Sequence, residues 1–301
     1  HHMPNTVYFK TLGCKVNQYE TQGMRERCLS AGLVETDEPR NAAYIVLNSC
    51  TVTRVSDRKT FSYLRRFRRL NPAATILLAG CITERDAHEP FYAAGADHII
   101  TNAGKKNILS VISATSANFV SSSRCDELSV SYFHGHSRAF VKIQDGCNAA
   151  CSYCKVRLVR GPARSRSAGA VRDEVRRLAE RGYRELVLTG INLGAYGVET
   201  GDVQPLITLL ESISRIRGID RIRLSSLEPL DLTDDLIACL AAHPVICPHM
   251  HIPLQSGDDG ILRKMRRLYT AQQFVDRIHA LRAVLPGCGL TTDVIVGFPG
   301  E

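Results

Sequence analysis

The 301-residue sequence contains no tryptophan, and aromatic residues make up only 6% of it. Broad base-stacking platforms of the kind used by single-strand binders are therefore not indicated. No apolar run approaches the ~18 residues of a membrane-spanning helix. No export signal is visible, and His1-His2-Met3 looks like a tag remnant. Acidic residues are outnumbered by basic ones, 30 against 38, for a formal charge of +8. Such an excess favours a polyanionic partner. Without an export signal, the eleven cysteines argue for metal or catalytic thiols in a reducing cytoplasm rather than for disulfides. An odd number also cannot pair completely within one chain. The expected location is cytoplasmic, with no membrane partner. The length allows roughly two domains.

Cys147-Asn148-Ala149-Ala150-Cys151-Ser152-Tyr153-Cys154 packs three cysteines into eight residues, directly after the strand-like Ala139-Phe140-Val141-Lys142-Ile143. A structural zinc site closes with four protein ligands, and no fourth cysteine or histidine lies close by. Iron–sulfur clusters are held by thiolates. Three thiolates on a four-iron cluster leave one iron open to a small molecule. The alternatives are a zinc knuckle completed from afar and three unrelated thiols.

Upstream, the same pattern occurs three times. Val7–Thr11 reads as a buried strand and ends at Gly13-Cys14. Tyr44–Asn48 is a second strand and runs into Cys50. Thr75–Ala79 is a third and runs into Gly80-Cys81. A polar helix from about Thr21 to Ala31 and a basic one from about Val55 to Leu70 separate them. A shorter strand and helix are expected through His98-Ile99-Ile100 and from about Lys105 to Ser113. Alternating strands and helices imply a parallel sheet covered on both faces. Loops at the carboxyl ends of its strands lie along one edge, so Cys14, Cys50 and Cys81 are expected to converge on a second metal centre. The alternative is that each is a small buried hydrophobe.

Residues 114–135 are serine-rich and read as a linker, in which Cys125 has no partner. From Ala139 onward five strands alternate with helices: Ala139–Ile143, Glu185–Leu188, Arg221–Leu224, His249–Leu254 and Leu290–Val296. This is a partial (β/α) barrel, with its site expected at the carboxyl ends of the strands. The expected fold class is thus α/β: an N-terminal parallel-sheet domain (4–113), the linker (114–135) and the barrel domain (136–301). The chain stops directly after a strand, at Glu301. An open barrel edge is awkward there, so a C-terminal part is expected to be missing. Cys28, Cys239, Cys247 and Cys288 read as packing residues. The basic run Lys155, Arg157, Arg160, Arg164 and Arg166 abuts the cysteine loop and is a candidate anion-binding segment.

These features together resemble the methylthiotransferases of the radical S-adenosylmethionine (SAM) superfamily. The residues that carry the resemblance are Leu12 to Thr21, Asn48-Ser49-Cys50-Thr51-Val52-Thr53, Ala79-Gly80-Cys81, Asp145 to Cys154, and His251-Ile252-Pro253-Leu254-Gln255-Ser256-Gly257. It implies two [4Fe-4S] clusters, a SAM-cleaving one on Cys147, Cys151 and Cys154 and an auxiliary one on Cys14, Cys50 and Cys81. It implies SAM contacts at Asn192, Ser226, Glu228, Ile295 and Gly297. One SAM would methylate a sulfur carried by the auxiliary cluster. A second would be cleaved to a 5′-deoxyadenosyl radical that activates the substrate C–H bond. The stretch Leu12-Gly13-Cys14-Lys15-Val16-Asn17-Gln18-Tyr19-Glu20-Thr21 is similar to the branch that acts on C2 of N6-threonylcarbamoyladenosine at position 37 of tRNA, in the anticodon loop. An electron donor and a sulfur source are implied as partners.

Arg160, Arg164, Arg166, Arg65 and Arg66 are the candidate RNA contacts. Arg58, Lys59, Arg68 and Arg69, and Arg263, Lys264, Arg266 and Arg267 near the barrel mouth, extend the candidate basic surface. Lys155-Val156-Arg157-Leu158-Val159 departs from the family's usual sequence after the third cysteine. Family members usually carry a further C-terminal RNA-gripping domain, so this chain alone is expected to bind tRNA weakly, with a shallow salt dependence. The same chemistry on isopentenyladenosine or on a ribosomal protein is an alternative. So are a methyltransferase without sulfur insertion and a non-catalytic RNA-binding protein with zinc.

Overall fold

The computed structural model of the chain describes residues 5–84, 87–115, 127–133 and 135–301. Cys125 and most of the expected linker lie outside the described residues. The chain divides into two compact units, one running to Ser131 and including Leu158–Arg160, the other comprising 132–157 and 161–301.

The first unit runs β1 (Thr6–Thr11), α1 (Lys15–Ser30), β2 (Val34–Glu35), β3 (Tyr44–Ser49), α2 (Arg54–Leu70), β4 (Thr75–Gly80), α3 (Glu89–Ala93), β5 (His98–Ile100) and α4 (Ile108–Thr115). The sheet is parallel, in the order β2-β1-β3-β4-β5. Every residue of β3 is buried, as expected for a central strand covered on both faces. Helix α2 starts where Thr53 accepts a hydrogen bond from the Ser56 N–H, the usual role of an N-cap threonine. It ends before Asn71-Pro72, where proline removes a donor. Leu64 and Phe67 of α2 pack with Ile45, Leu47, Ile76 and Leu78 in one core.

Helix α1 begins six residues before the expected Thr21, directly after Cys14. The physical reason is its buried face, which carries Asn17, Glu20, Thr21 and Gln22 beside Val16, Tyr19 and Met24. A helix with a polar interior face shows no apolar period, so the pattern of hydrophobic residues does not mark its start. Of the expected linker, Leu128 and Val130 are buried. Tyr19 donates to the Leu128 carbonyl at 3.0 Å.

The second unit runs β6 (Arg138–Lys142), β7 (Gln144–Asp145), α5 (Val156–Arg160), β8 (Arg164–Ser165), α6 (Ala168–Glu180), β9 (Glu185–Thr189), α7 (Pro205–Ser214), β10 (Arg221–Leu224), α8 (Asp234–Ala242), β11 (His249–His251), α9 (Asp259–Lys264), α10 (Ala271–Val284) and β12 (Gly289–Thr291). The last three residues of α5 are those that group with the first unit. Strands β6, β9 and β10 form one parallel sheet, and β11 and β12 another. Single parallel pairings, Ile222 with Ile246 and Gln255 with Val294, extend the run beyond the named strands. The five expected barrel strands are therefore each represented, in two parallel sheets rather than one unbroken sheet. Strand β11 stops at His251, short of the expected Leu254, because Pro253 cannot donate to a ladder. Three short elements around the cysteine loop, β7, β8 and α5, and helix α9 add to the expected succession. They are too short for hydrophobic periodicity to register.

Candidate iron–sulfur sites

In the first unit, β1, β3 and β4 are neighbours, and Thr11 pairs with Asn48, Asn48 with Ala79 and Ser49 with Gly80. Cys50 and Cys81 each follow the last residue of their strand and so come level. Cys14 caps α1 one turn past β1. The turns are pressed together. Gly80 has φ +102°, and a Cβ there would sit 2.1 Å from the Ser49 carbonyl oxygen. Gly13 has φ +101°, and its Cβ would lie 2.6 Å from the Cβ of Cys50 and 3.2 Å from its Sγ. Only glycine fits such positions. Asn17 donates to the carbonyls of Leu12 (2.8 Å) and Ser49 (3.0 Å), tying the two turns. Cys50 and Cys81 are buried, Cys14 is exposed, and all ten described cysteines are free thiols. The Val52 N–H reaches the Cys50 sulfur at 3.5 Å.

Beside Cys81 lie three buried charges. Glu20 accepts from Arg160 at 3.0 and 3.3 Å and pairs with Lys105, whose Nζ is in direct contact with it. Arg160 also donates to Asn17 Oδ1 at 2.6 Å. Burial pushes the Cys81 thiol pKa up, while the Arg160 and Lys105 charges pull it down. Two cations stand against one carboxylate. That excess suits an anionic centre, which a cluster on three thiolates would be. Arg160 is thus not a surface contact for phosphate. Arg166, also expected on RNA, is likewise buried, donating to Glu174 (3.0 Å) and to the Lys142 carbonyl (2.9 Å).

In the second unit, the loop with Cys147, Cys151 and Cys154 is closed at its base by β7 and β8, pairing antiparallel. The Cys147 N–H donates to the Gly161 carbonyl at 3.1 Å, and Asn148 accepts from the Ala163 N–H at 3.0 Å. Gly146 has φ +70°, and a Cβ there would lie 1.9 Å from the Pro162 carbonyl oxygen. Backbone N–H groups of Ala149 and Val156 reach the sulfurs of Cys147 (3.4 Å) and Cys154 (3.5 Å). Burial raises the Cys154 thiol pKa, and the neighbouring Cys151 and Cys147 thiols raise it further. The three sulfurs therefore lie within electrostatic reach of one another. Among the described residues no group of three or more His, Cys, Asp or Glu is gathered tightly enough for one metal ion. A zinc ion would draw each thiolate to ~2.3 Å. A four-iron cluster takes each thiolate on a separate iron.

The expected SAM contacts sit at strand ends. Asn192 follows β9, and its Oδ1 is buried with no hydrogen-bond partner, an acceptor suited to a hydroxyl donor. Gln144, fully buried between β6 and the cysteine loop, holds that turn: its Oε1 accepts from the N–H groups of Ile191 (3.0 Å) and Asn192 (2.9 Å), and its Nε2 donates to Asp145 and Gly146 carbonyls. Ser226 is exposed, whereas the Oγ of its neighbour Ser225 is buried and unpartnered. Glu228, also expected as a SAM contact, is half-buried and ion-paired through Oε2 with Arg267. Ile295 donates to the Gln255 carbonyl at 2.8 Å, and Gly297 turns the chain at φ +72°.

Of the other candidate RNA residues, Arg65, Arg66 and Arg164 are exposed. Arg68 is held by carbonyls of Pro72, Ala74 and Gly95 at 2.9 Å, and Arg267 is turned inward. Gln144, Lys105 and Glu20 do not stand out in the sequence as functional residues. Their one signal is polarity at positions where strand and helix patterns call for apolar residues.

Residues 141–301 match the family model of the radical SAM superfamily, and residues 6–101 match "Uncharacterized protein family UPF0004". The chain is 38% identical over 305 residues to the threonylcarbamoyladenosine tRNA methylthiotransferase MtaB of Bacillus subtilis, covering 98% of this chain and 68% of that protein. It is 36% identical over 313 residues to the tRNA-2-methylthio-N(6)-dimethylallyladenosine synthase of Syntrophobacter fumaroxidans, covering 99% and 68%. Among solved structures, it is similar to the radical SAM methyltransferase TsrM of Kitasatospora setae with cobalamin and a [4Fe-4S] cluster bound. That match has a TM-score of 0.71 and 15% identity, covering 99% of this chain and 71% of that one. No helix among the described residues is long and apolar enough to cross a membrane.

Proposed function

Because the chain belongs to the radical SAM superfamily and, within it, to the methylthiotransferases, we propose that it methylthiolates C2 of N6-threonylcarbamoyladenosine in the anticodon loop of tRNA, in the cytoplasm. The observation that carries this reading is the presence, in one chain, of two sets of three free thiols, each at the edge or mouth of a parallel sheet. Cys147, Cys151 and Cys154 would hold the SAM-cleaving cluster, and Cys14, Cys50 and Cys81 the auxiliary one. Bound there, clusters and SAM supply the radical that an aromatic C–H bond requires, since proton transfer by side chains contributes only ~100 to 10,000-fold. An electron donor and a sulfur source are the partners this chemistry calls for.

The protein's share is positioning. Gly13, Gly80 and Gly146 allow the backbone approaches that place the thiols. Gln144 fixes the turn that aims Asn192 Oδ1 at a SAM hydroxyl, with Ser226, Ile295 and Gly297 as the further cofactor contacts. RNA phosphates would meet Arg65, Arg66 and Arg164. Arg66 borders a concavity of about 710 Å³ shared with Lys10, Arg40 and Tyr63, where the Lys10 ammonium stands 5.2 Å from the Tyr63 ring. Asp37 and Glu38 also line it, so three cations face two carboxylates there, a small positive excess beside an aromatic that a nucleotide phosphate could meet.

The test is iron and sulfide per chain after anaerobic reconstitution, followed by mass analysis of nucleosides from threonylcarbamoyl- and dimethylallyl-modified tRNA. About eight irons, falling to about four in the Cys147→Ala/Cys151→Ala/Cys154→Ala variant, with methylthio product on the threonylcarbamoyl substrate, is the expected result. Four irons in the intact chain and none in the variant would remove the auxiliary cluster, and with it sulfur insertion. Product only on dimethylallyl-modified tRNA would transfer the assignment to that substrate.

A further inference from the structure

Helix α9 ends in a turn that brings one arginine onto a cluster thiol. The Arg266 N–H donates to the Arg263 carbonyl and the Arg267 N–H to the Leu262 carbonyl, both at 2.9 Å. This is the paired bonding of a helix end whose left-handed residue is normally glycine. Here that residue is Arg266, at φ +57°, a conformation that costs a residue with a Cβ roughly 1 kcal/mol. The same turn offers the carbonyls of Lys264 and Met265 to the hydroxyl (2.9 Å) and N–H (3.1 Å) of Ser152. The helix end is thereby docked on the middle of the cysteine loop, and Arg267 emerges next to Cys151.

The Arg267 side chain is only 6% exposed. Its Nη1 lies 3.1 Å from Cys151 Sγ and 3.5 Å from the Tyr153 hydroxyl. Its Nη2 pairs with the Glu228 carboxylate. The guanidinium carbon stands 4.9 Å from the centre of the Tyr269 ring, and the Tyr269 hydroxyl is anchored by the carbonyls of Pro253 (3.1 Å) and Leu254 (2.9 Å). Among the described residues, Cys147 and Cys154 receive backbone N–H groups at 3.4 and 3.5 Å. Cys151 faces a permanent positive charge.

We propose that Arg267 is a positioning residue that sets the reduction potential of the cluster on Cys147, Cys151 and Cys154, and that Glu228 both holds it there and offsets its charge. This rests on the reading of those thiols as cluster ligands. Hydrogen bonds and charges at ligand sulfurs tune iron–sulfur potentials. Reduction adds one electron to the cluster. A cation held against a ligand sulfur stabilises the reduced state, and a carboxylate behind that cation weakens the effect. The two side chains should therefore move the potential in opposite directions.

The experiment is a mediated redox titration of the reconstituted full chain. It follows the paramagnetic signal that is missing from the Cys147→Ala/Cys151→Ala/Cys154→Ala variant. Arg267→Met should keep its iron and show at least a tenfold lower ratio of reduced to oxidised cluster at fixed poise, about 59 mV for one electron. Arg267→Lys should fall between the two. Glu228→Gln keeps an acceptor for the guanidinium and should shift the ratio the opposite way. An unchanged ratio in loaded Arg267→Met, or a Glu228→Gln shift in the same direction as that of Arg267→Met, overturns the proposal. Should Arg267→Met fail to load, an unmoved Glu228→Gln overturns it by itself. Failure of the unmutated loop to bind iron would instead overturn the cluster assignment.

Discussion

Replacing Glu20 by glutamine should cost the first unit far more than replacing Lys105 by methionine. Glu20, Lys105 and Arg160 are each no more than 2% exposed at the side chain. Glu20 engages both cations, through a two-pronged contact with Arg160 and a direct one with Lys105. Breaking a buried pair by removing one partner typically costs about 3–5 kcal/mol, because a buried charge is left without compensation. Glu20→Gln leaves two cations facing each other. Lys105→Met leaves the forked Arg160–Glu20 pair balanced. It also removes an ammonium whose pKa is already lowered by burial, so its cost should stay within about 1 kcal/mol. Urea unfolding of the cluster-free chain, followed by circular dichroism, is the assay. With a slope of about 1–3 kcal/mol per molar, Glu20→Gln should lower the midpoint by about 1–5 M. Adding Lys105→Met to Glu20→Gln should recover part of that loss, as a double-mutant cycle would register. Equal costs for the two single variants, or a Glu20→Gln cost below about 1 kcal/mol, would refute the charge arrangement.

Burial raises the Asp231 pKa from 3.8 to about 6. Its stabilising share is therefore complete below the unfolded value and is lost as pH rises through about 6. Asp231→Asn, which keeps an acceptor for the Glu228 N–H, should be more stable than the parent by about 1–3 kcal/mol above pH 7 and indistinguishable near pH 3; parallel stability curves would contradict this. Gly146→Ala forces a Cβ onto the Pro162 carbonyl and should roughly halve the iron bound per chain by emptying one loop. Full iron content in that variant would show that the loop tolerates another path. Arg65→Ala/Arg66→Ala should weaken tRNA binding and flatten its salt dependence by about one unit of slope for each phosphate no longer neutralised, read by fluorescence anisotropy at several salt concentrations. An unchanged slope would take α2 off the RNA path.

The architecture of the first unit was legible because its signals are local. Three of its strands, β1, β3 and β4, are runs of largely apolar residues that lead into a cysteine, and register alone then brings Cys50 level with Cys81. The cysteine loop was legible for the same reason, since its three thiols share eight residues. Helix α10 (Ala271–Val284) carries its start signal in the sequence, since Thr270 and Gln273 cap it in the standard way. Legibility failed where the buried face is polar, as in α1, and where elements are two to six residues long.

Charge was the least legible property. Arg160, Arg166 and Arg267 all lie in or near basic runs that suggest a solvated or RNA-facing surface. Yet each is folded inward onto a carboxylate: Glu20, 140 positions away from Arg160 in the chain, Glu174 for Arg166, and Glu228 for Arg267. A sequence displays the cations but not the pairing, because the partner is chosen by the fold. Two of the three, Arg160 and Arg267, also stand beside a cysteine thiol. Thiolates gathered at the end of a sheet are costly to bury without compensating charge, and guanidinium remains protonated and keeps its donors in a fixed fork. Within the first unit the guanidinium beside Cys81 is Arg160, with Lys105 as a second cation, and within the second the guanidinium beside Cys151 is Arg267. Each is anchored by a carboxylate. Two unrelated stretches of sequence have thus arrived at the same arrangement of thiol, guanidinium and carboxylate. That repetition is what the proposed assignment of both thiol sets to the same kind of anionic cofactor leads one to expect.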